Sequence, residues 1–394
     1  MKTGTLRCYA VAAPGIEGLV ASELGAIGID GRADTGGVAW TGDAASLYRA
    51  NLWLRTATRV LVRVARFRAT TFWELERRAA ATSWAALVKP GVTVAFRVTA
   101  KKSKLYHSGA VAQRLAESVM KAVPGVRVVD APGEEPEEEP AGEEAAGETQ
   151  LFVARLAHDE LTLSIDSSGA PLYRRGYRQA VAKAPLRETL AAALLMSSGW
   201  EPGDPLVDPF CGSGVIPIEA ALMAARIAPG LATAGRAPRA FAFTGWPQFD
   251  PSLWRSCVDD AAAMASPDLT PPIVGTDRDE GAIAAARANA ERAGLTEKVR
   301  FEAAPISALR VPQGAPGWIV TNPPYGLRVG EQGEVRRLYA AFGRAVRERA
   351  PGWHLGMLSP DPRLDAIAGT EAGRRLEERL RTKNGGIPVR VMAR

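Results

Sequence analysis

Asn322, Pro323 and Tyr325 stand close together in the stretch Thr321-Asn322-Pro323-Pro324-Tyr325-Gly326. They offer a carboxamide, a main-chain carbonyl and an aromatic face. An amide oxygen and a backbone carbonyl both accept hydrogen bonds from a planar –NH2 group, while a ring stacks on the heterocycle that bears it. That set suits a nucleobase amine or an amide nitrogen presented for attack. The apolar run Trp318-Ile319-Val320 feeds into it and reads as the end of a buried strand. Pro323 and Pro324 cannot donate ladder hydrogen bonds, so the strand stops there and the backbone leaves the sheet extended. Taken alone, the same residues would also serve a plain turn after a strand.

The upstream sequence narrows that choice. Leu206-Val207-Asp208-Pro209-Phe210-Cys211-Gly212-Ser213-Gly214 precedes Ile216, Ile218, Ala221 and Leu222 at helical spacing. This predicts strand, glycine turn and helix, the first unit of a doubly wound sheet with a crevice for a nucleotide-like ligand. Gly212 and Gly214 let a ligand approach the backbone, and the helix N-terminus offers N–H groups to a carboxylate. No Gly-Lys-Ser/Thr follows, so phosphate cradling is not expected. Ile273-Val274-Gly275-Thr276-Asp277 predicts a second strand ending in an acid, a place from which a carboxylate takes both hydroxyls of a ribose. The three features in this order are more specific than any one of them.

With these motifs the second half of the chain resembles the class I S-adenosylmethionine-dependent methyltransferases that modify exocyclic amino nitrogens. Tyr173-Arg174-Arg175-Gly176-Tyr177-Arg178 and Ala184-Pro185-Leu186-Arg187-Glu188-Thr189-Leu190-Ala191-Ala192-Ala193 extend the likeness. They make the chain similar to the THUMP-domain RNA guanine-N2 methyltransferases, and within these to the bacterial large-subunit (23S) ribosomal RNA enzymes. The likeness covers nearly the whole chain and includes Lys383-Asn384-Gly385. It implies an α/β architecture: a ferredoxin-like α/β unit over residues 1–62, a THUMP RNA-binding domain over 63–168, and a Rossmann-like methyltransferase domain over 169–394. It also implies S-adenosylmethionine as cofactor, with contacts from Asp208, Pro209, Cys211, Gly212, Ser213, Gly214, Asp277, Arg278, Ile306 and Asn322. Asn322, Pro323, Pro324 and Tyr325 become the catalytic set. Such enzymes place an acid for the adenine amine at the end of the third strand, residues 299–302 here; Pro305 stands at that position, leaving the N–H of Ile306 for adenine. Some members continue into a second methyltransferase domain, which is not expected in this chain.

The length of 394 residues leads us to expect two or more domains and a sizeable core. No run of eighteen apolar residues occurs and the N-terminus does not read as a signal peptide, so a soluble, cytoplasmic protein is expected. Cys8, Cys211 and Cys257 are too scattered for a disulfide framework or a zinc site, and no metal is expected. His107, His158 and His354 are equally dispersed. The formal charge is +6, but eight glutamates and no basic residue lie between Glu134 and Glu148, so the remainder carries +14. A basic body with one acidic segment fits a polyanionic partner, and equally ordinary solubilising charge.

In the first unit, strands are expected at residues 9–12, 36–40 and 59–64, with helices at 16–24 and 45–54. In the second, residues 92–99 alternate as a strand burying one face, followed by the basic loop Lys101-Lys102-Ser103-Lys104 and a helix that Ser108 would cap. Lysines and free N–H groups converging there would grip phosphate, or the loop would simply be solvated. The Glu/Pro/Gly/Ala-rich stretch 131–149 is expected to be disordered. Arg174, Arg175 and Arg178, interleaved with two tyrosines, read either as contacts to RNA phosphates and bases or as packing at a domain linker. Arg328 would hold a phosphate or the base edge. The long connection 229–272, with Phe241, Phe243, Trp246, Phe249 and Trp254, reads as an insertion whose aromatics mostly pack.

The expected activity is methyl transfer to the exocyclic N2 of a flipped guanine in large-subunit ribosomal RNA. The partner would be 23S rRNA or a large-subunit assembly intermediate, and the protein would act as a monomer. The alternatives are a transfer RNA guanine-N2 methyltransferase and an inactive methyltransferase-fold RNA-binding or assembly factor. Adenine-N6 DNA and release-factor glutamine methyltransferases share Asn-Pro-Pro-Tyr. The N-terminal half resembles neither a DNA target-recognition domain nor a release-factor docking bundle.

Overall fold

The computed structural model describes residues 4–131, 149–179, 186–233, 237–266, 271–326 and 332–394. The acidic stretch 131–149 lies outside the described residues except at its two ends.

Alternating apolar residues in the N-terminal half build one sheet. Its strands are β1 (Leu6–Val11), β2 (Arg32–Asp34), β3 (Gly37–Gly42), β4 (Arg59–Arg68), β5 (Thr93–Lys101), β6 (Arg127–Val129), β7 (Thr149–Ala157) and β8 (Glu160–Asp166). They lie in the order β2-β3-β1-β4-β8-β7-β5-β6. The strands expected from the sequence are all present. The boundary expected at residue 62, however, falls inside β4, which pairs with β1 on one side and β8 on the other. The two N-terminal units therefore share a continuous sheet. Helices α1 (Glu17–Ala26), α2 (Ala44–Trp53), α3 (Phe72–Ala80) and α4 (Ser108–Ala122) bury their apolar stripes against it. Asp43 and Thr71 cap α2 and α3 by accepting from the N–H groups of Ser46 and Glu74. Ser108 does not cap α4; it is the first helical residue, and His107 precedes it without a side-chain cap.

The second sheet contains β9 (Leu206–Asp208), β10 (Ile273–Asp277), β11 (Val299–Ala303), β12 (Trp318–Thr321), β13 (His354–Ser359), β14 (Glu377–Asn384) and β15 (Ile387–Ala393). Its order is β11-β10-β9-β12-β13-β15-β14, parallel from β11 to β13 and antiparallel thereafter. Around it lie α5 (Glu188–Ser198), α6 (Val215–Ala224), α8 (Glu280–Arg292), α9 (Gln332–Arg349) and α10 (Pro362–Glu371), while α7 (Pro251–Ala263) packs on α2. Because β9 has β10 on one side and β12 on the other, the strand order reverses there, and a crevice opens beyond the strand ends. The long connection 229–272 contains α7, which the sequence reading missed. Its aromatics pack as expected: Phe243 stacks on Tyr48 of α2 at 4.6 Å, and Trp254 meets Phe241, Phe243 and Tyr48 edge-on.

A buried charged cluster joins the two halves. Glu219 lies in the middle of α6 among apolar residues. Its carboxylate accepts from Tyr177 Oη (3.0 Å) and Arg175 Nε (3.5 Å), and Arg55 approaches at 4.0 Å. Arg175 also donates to the carbonyl of Arg55 (2.6 Å) and to that of Leu172, while Arg55 donates to the carbonyl of Ile227 (2.5 Å). Removing one partner of such a cluster strands the others' charge in a low dielectric, which costs roughly 3–5 kcal/mol. Glu219→Ala is therefore expected to lower the free energy of unfolding by about 3 kcal/mol or more, read from the denaturant midpoint and slope. A shift under about 1 kcal/mol in equilibrium unfolding, the range of an exposed ion pair, would show that the cluster does not hold the halves together.

Candidate active site

A cleft of about 1270 Å³ opens at the point where the second sheet reverses. The glycine turn after β9 forms its floor. Gly214 has φ +86°, and a Cβ there would stand 2.9 Å from Ala286 and from the Phe301 ring, so α6 starts tight against α8 and β11. The N–H of Gly212 donates to Asp277 Oδ2 (3.0 Å), and the N–H of Cys211 donates to the Thr276 carbonyl (3.0 Å). These bonds tie the turn to the end of β10. Asp277 Oδ1 accepts from the N–H of Asp279 (3.0 Å). An ionised carboxylate has about four acceptor positions, so the pair of oxygens still has capacity for a ligand's hydroxyls.

Asp208 and Thr321 end the neighbouring strands β9 and β12, and Thr321 Oγ1 donates to Asp208 Oδ1 (2.5 Å). The Phe210 N–H donates to the same oxygen (3.1 Å). Asp208 is fully buried, and its Oδ2 has no hydrogen-bond partner among the described residues, although the residue lines the cleft. Burial pushes its carboxyl up to about 7, against the hydrogen bonds of Thr321 and Phe210, with Asp277 nearby adding to the rise. A buried carboxylate with one empty oxygen fits a cationic donor such as an ammonium group. On the far side, Ala304, Pro305 and Ile306 line the cleft at the end of β11. Glu302 pairs with Arg300 (3.0 Å) and is not a lining residue.

Asn322 and Tyr325 sit beyond β12. Tyr325 Oη donates to Asn322 Oδ1 (2.8 Å), and the tyrosine ring is half-buried against the core. Pro323 is buried, Pro324 exposed, and all four residues line the cleft. The structure thus brings Asp208, Pro209, Cys211, Gly212, Ser213, Asp277, Arg278, Ile306, Asn322, Pro323, Pro324 and Tyr325 to one cavity, with Gly214 immediately behind it.

The basic residues are distributed differently. Lys101, Lys102 and Lys104 are exposed at the end of β5, on the other sheet. Their loop is pinned: Asp159 accepts from the Lys104 N–H (2.8 Å), and the Asp159 N–H donates to Ser103 Oγ (3.0 Å). Arg174 is half-buried. Arg175 is a correction, because at 2 % exposure its guanidinium is spent on Glu219 and two carbonyls and cannot reach a phosphate. Arg178 is also engaged within the fold, with Glu188 Oε1 at 3.1 Å and the Leu186 carbonyl at 2.7 Å. Of the two readings of this segment, domain-linker packing accounts for both residues. Arg328 lies outside the described residues.

Sequence reasoning missed three contributors. Thr321, Glu219 and Asn384 have no role in the sequence reading. The signal for Glu219 was present: a lone acid in Val-Ile-Pro-Ile-Glu-Ala-Ala-Leu-Met-Ala requires a buried partner.

The Asp208 proton gives a stability test. Its carboxyl titrates near 7 in the folded chain and near 3.8 when free, so its contribution is fully present below about pH 4 and lost as pH rises through 7. Glu188, also raised by burial to about 7, loses stability over the same upper range. Asp208→Asn mimics the protonated acid and keeps the acceptor for Thr321 and Phe210. The variant is expected to be more stable than the parent at pH 8 by up to about 4 kcal/mol and nearly equal at pH 4. Thermal unfolding of the ligand-free protein across pH checks this, and parallel curves would refute the raised value.

Comparison with known proteins agrees with this architecture. Residues 175–387 match the RMKL-like methyltransferase domain of UPF0020, and residues 7–61 match the RlmL ferredoxin-like domain. Ribosomal RNA large subunit methyltransferase K/L of Chromohalobacter salexigens is 35% identical over 98% of this chain and 52% of its own length. The chain thus spans about half the length of the curated relatives of that name. The solved structure of SMU.472 complexed with SAH superposes with a TM-score of 0.84 at 29% identity, covering 99% of this chain and 97% of the other. A "predicted N6-adenine-specific DNA methylase" from Listeria monocytogenes gives 0.83 at 31% identity, covering 99% and 96%. Strand order, the glycine turn and these likenesses agree: the chain belongs to the RMKL-like methyltransferase family, with a ferredoxin-like unit before a class I methyltransferase fold.

Proposed function

We propose that this chain transfers the methyl group of S-adenosylmethionine to the exocyclic N2 of a guanine in large-subunit ribosomal RNA. The observation that carries this is the coexistence, in one cleft, of a nucleoside-holding set and an amine-holding set. Asp277 takes the ribose hydroxyls, and the unpartnered oxygen of Asp208 takes the ammonium of the cofactor's amino-acid end. The residues present therefore fit the cofactor, which when bound supplies an electrophilic sulfonium methyl. Asn322 Oδ1 and the Pro323 carbonyl accept from the target amine, orienting a nitrogen whose lone pair is delocalised into its ring. They also stabilise the positive charge that develops on that nitrogen, through electrostatics and positioning rather than strong-base catalysis. The Tyr325 ring stacks on the extruded base, because a base inside a helix is out of reach. The SAH named in one similar structure and the ribosomal RNA named in the K/L relatives support cofactor and substrate class.

The exposed lysine loop is the proposed RNA contact. Lys101, Lys102 and Lys104 share the N-terminal half with the exposed rings of Trp73 (64 %) and Tyr106 (70 %), a composition suited to phosphates and unstacked bases. Reversing all three lysines to glutamate is expected to weaken RNA binding by about tenfold or more at moderate salt and to flatten the salt dependence by roughly 2–3 counterions. An unchanged salt slope in filter binding would move the contact elsewhere.

Nucleoside mass spectrometry tests the reaction, after incubation with S-adenosylmethionine and unmodified ribosomal RNA, transfer RNA or DNA in separate tubes. N2-methylguanosine in ribosomal RNA, reduced by about two orders of magnitude or more in Asn322→Ala, is the expected result. The same nucleoside in transfer RNA alone would overturn the substrate, and N6-methyladenine in DNA would favour the activity named for the Listeria structure. Cofactor binding with no methylation of any of the three would leave the inactive-scaffold reading.

A further inference from the structure

The hairpin of β14 and β15 carries one more cleft residue. Its turn, Gly385 and Gly386, has both φ values positive, and Asn384 pairs with Ile387 across it. β14 is the edge strand, three places from β12 in the sheet, yet both Asn384 and Ile387 line the cleft. Asn384 Nδ2 donates to Tyr325 Oη (3.4 Å), and Tyr325 Oη donates to Asn322 Oδ1 (2.8 Å).

This chain of donors has a fixed direction. An amide nitrogen only donates, so the hydroxyl that accepts from Asn384 turns its own proton toward Asn322. A hydroxyl donating toward Asn322 requires the oxygen of that amide, not its nitrogen. With the amide reversed, two donors would face each other and the acceptor for an incoming amine would be displaced. Asn322 Oδ1 keeps a second lone pair for that amine. We propose that Asn384 is a positioning residue for methyl transfer: through the Tyr325 hydroxyl it locks the Asn322 carboxamide with its oxygen available to the target amine. This rests on the reading of Asn322 as the amine acceptor.

Substitution at residue 384 separates this role from a structural one. Asn384→Asp is nearly isosteric but replaces the donor with an acceptor, so it draws the Tyr325 proton away from Asn322; Asn384→Ala merely removes the donor. A packing role would make the aspartate the milder change, whereas the relay makes it the more severe. Alanine is expected to lower kcat about tenfold and aspartate further, with cofactor affinity and Tm unchanged within error. In a Tyr325→Phe background neither substitution should add anything, since the link is already cut.

A second readout does not depend on turnover. The chain has four asparagines, Asn51, Asn289, Asn322 and Asn384, so side-chain 15N labelling of asparagine yields four amide pairs. Tyr325→Phe should move the Asn322 and Asn384 signals and leave Asn51 and Asn289 in place; Asn384→Asp should move Asn322. An Asn322 signal unmoved by Asn384→Asp in an active enzyme, or alanine more damaging than aspartate, would overturn the relay. Wild-type protein that methylates no nucleic acid would sink the functional reading, and any catalytic role for the relay with it.

Discussion

A carboxylate in the middle of an apolar helix sets the architecture of this protein. Glu219 is buried in α6 and needs polar partners, and the fold supplies them from both directions: Arg55 from the N-terminal half, Arg175 and Tyr177 from the linker. Arg239 closes the same junction, donating to the carbonyls of Ala170 (2.6 Å) and Pro171 (2.8 Å), and burial pulls its guanidinium down to about 9. The helix that bears Glu219 is also the helix whose first turn lines the cleft, through Val215 and Ile216. The domain junction and the glycine turn are thus two ends of one rigid element, so the N-terminal sheet is held in a fixed relation to the cleft.

The cleft follows from parallel pairing. β9 and β12 lie side by side, Trp318 beside Leu206 and Ile319 beside Val207, so whatever follows each strand must meet its counterpart beyond the sheet. After β9 comes a turn of small residues, and after β12 come two prolines that cannot rejoin a ladder. Thr321 joins the two ends through Asp208, and the other oxygen of that acid is buried without a partner among the described residues. An uncompensated polar atom of this kind is tolerated where a ligand completes it. The free protein meets the cost by raising the affinity of Asp208 for a proton.

The segments that line the cleft were legible because their meaning is local. Strand, glycine turn and helix at 206–224, the acid ending 273–277, and the proline pair after 318–321 are each dictated by backbone preferences acting over a few residues. The helix α7 escaped notice because its surroundings read as loop, although Asp250 and Pro251 mark its start: Asp250 caps it and Pro251 occupies the first turn. The boundary expected at 62 coincides with the end of the ferredoxin-like match at residue 61, yet β4 runs through it. The run 59–64 was seen as a strand, but that one strand serves two units depends on which partners flank it.

Sequence by itself determined the methyltransferase fold, and the glycine turn and Asn-Pro-Pro-Tyr segment that line its cleft, because glycine, proline and apolar runs constrain φ, ψ and burial wherever they occur. Only the tertiary structure decided which charged residues face water. Arg174, Arg175 and Arg178 are chemically equivalent in the sequence, yet Arg175 is buried because Glu219, 44 residues away, needs a counter-charge. Asn384 reaches Tyr325 across 59 residues because an antiparallel hairpin at the sheet edge turns its tip into the cleft. Burial of charge and contact between distant hydrogen-bonding groups are set by strand order and register, and no local pattern encodes them.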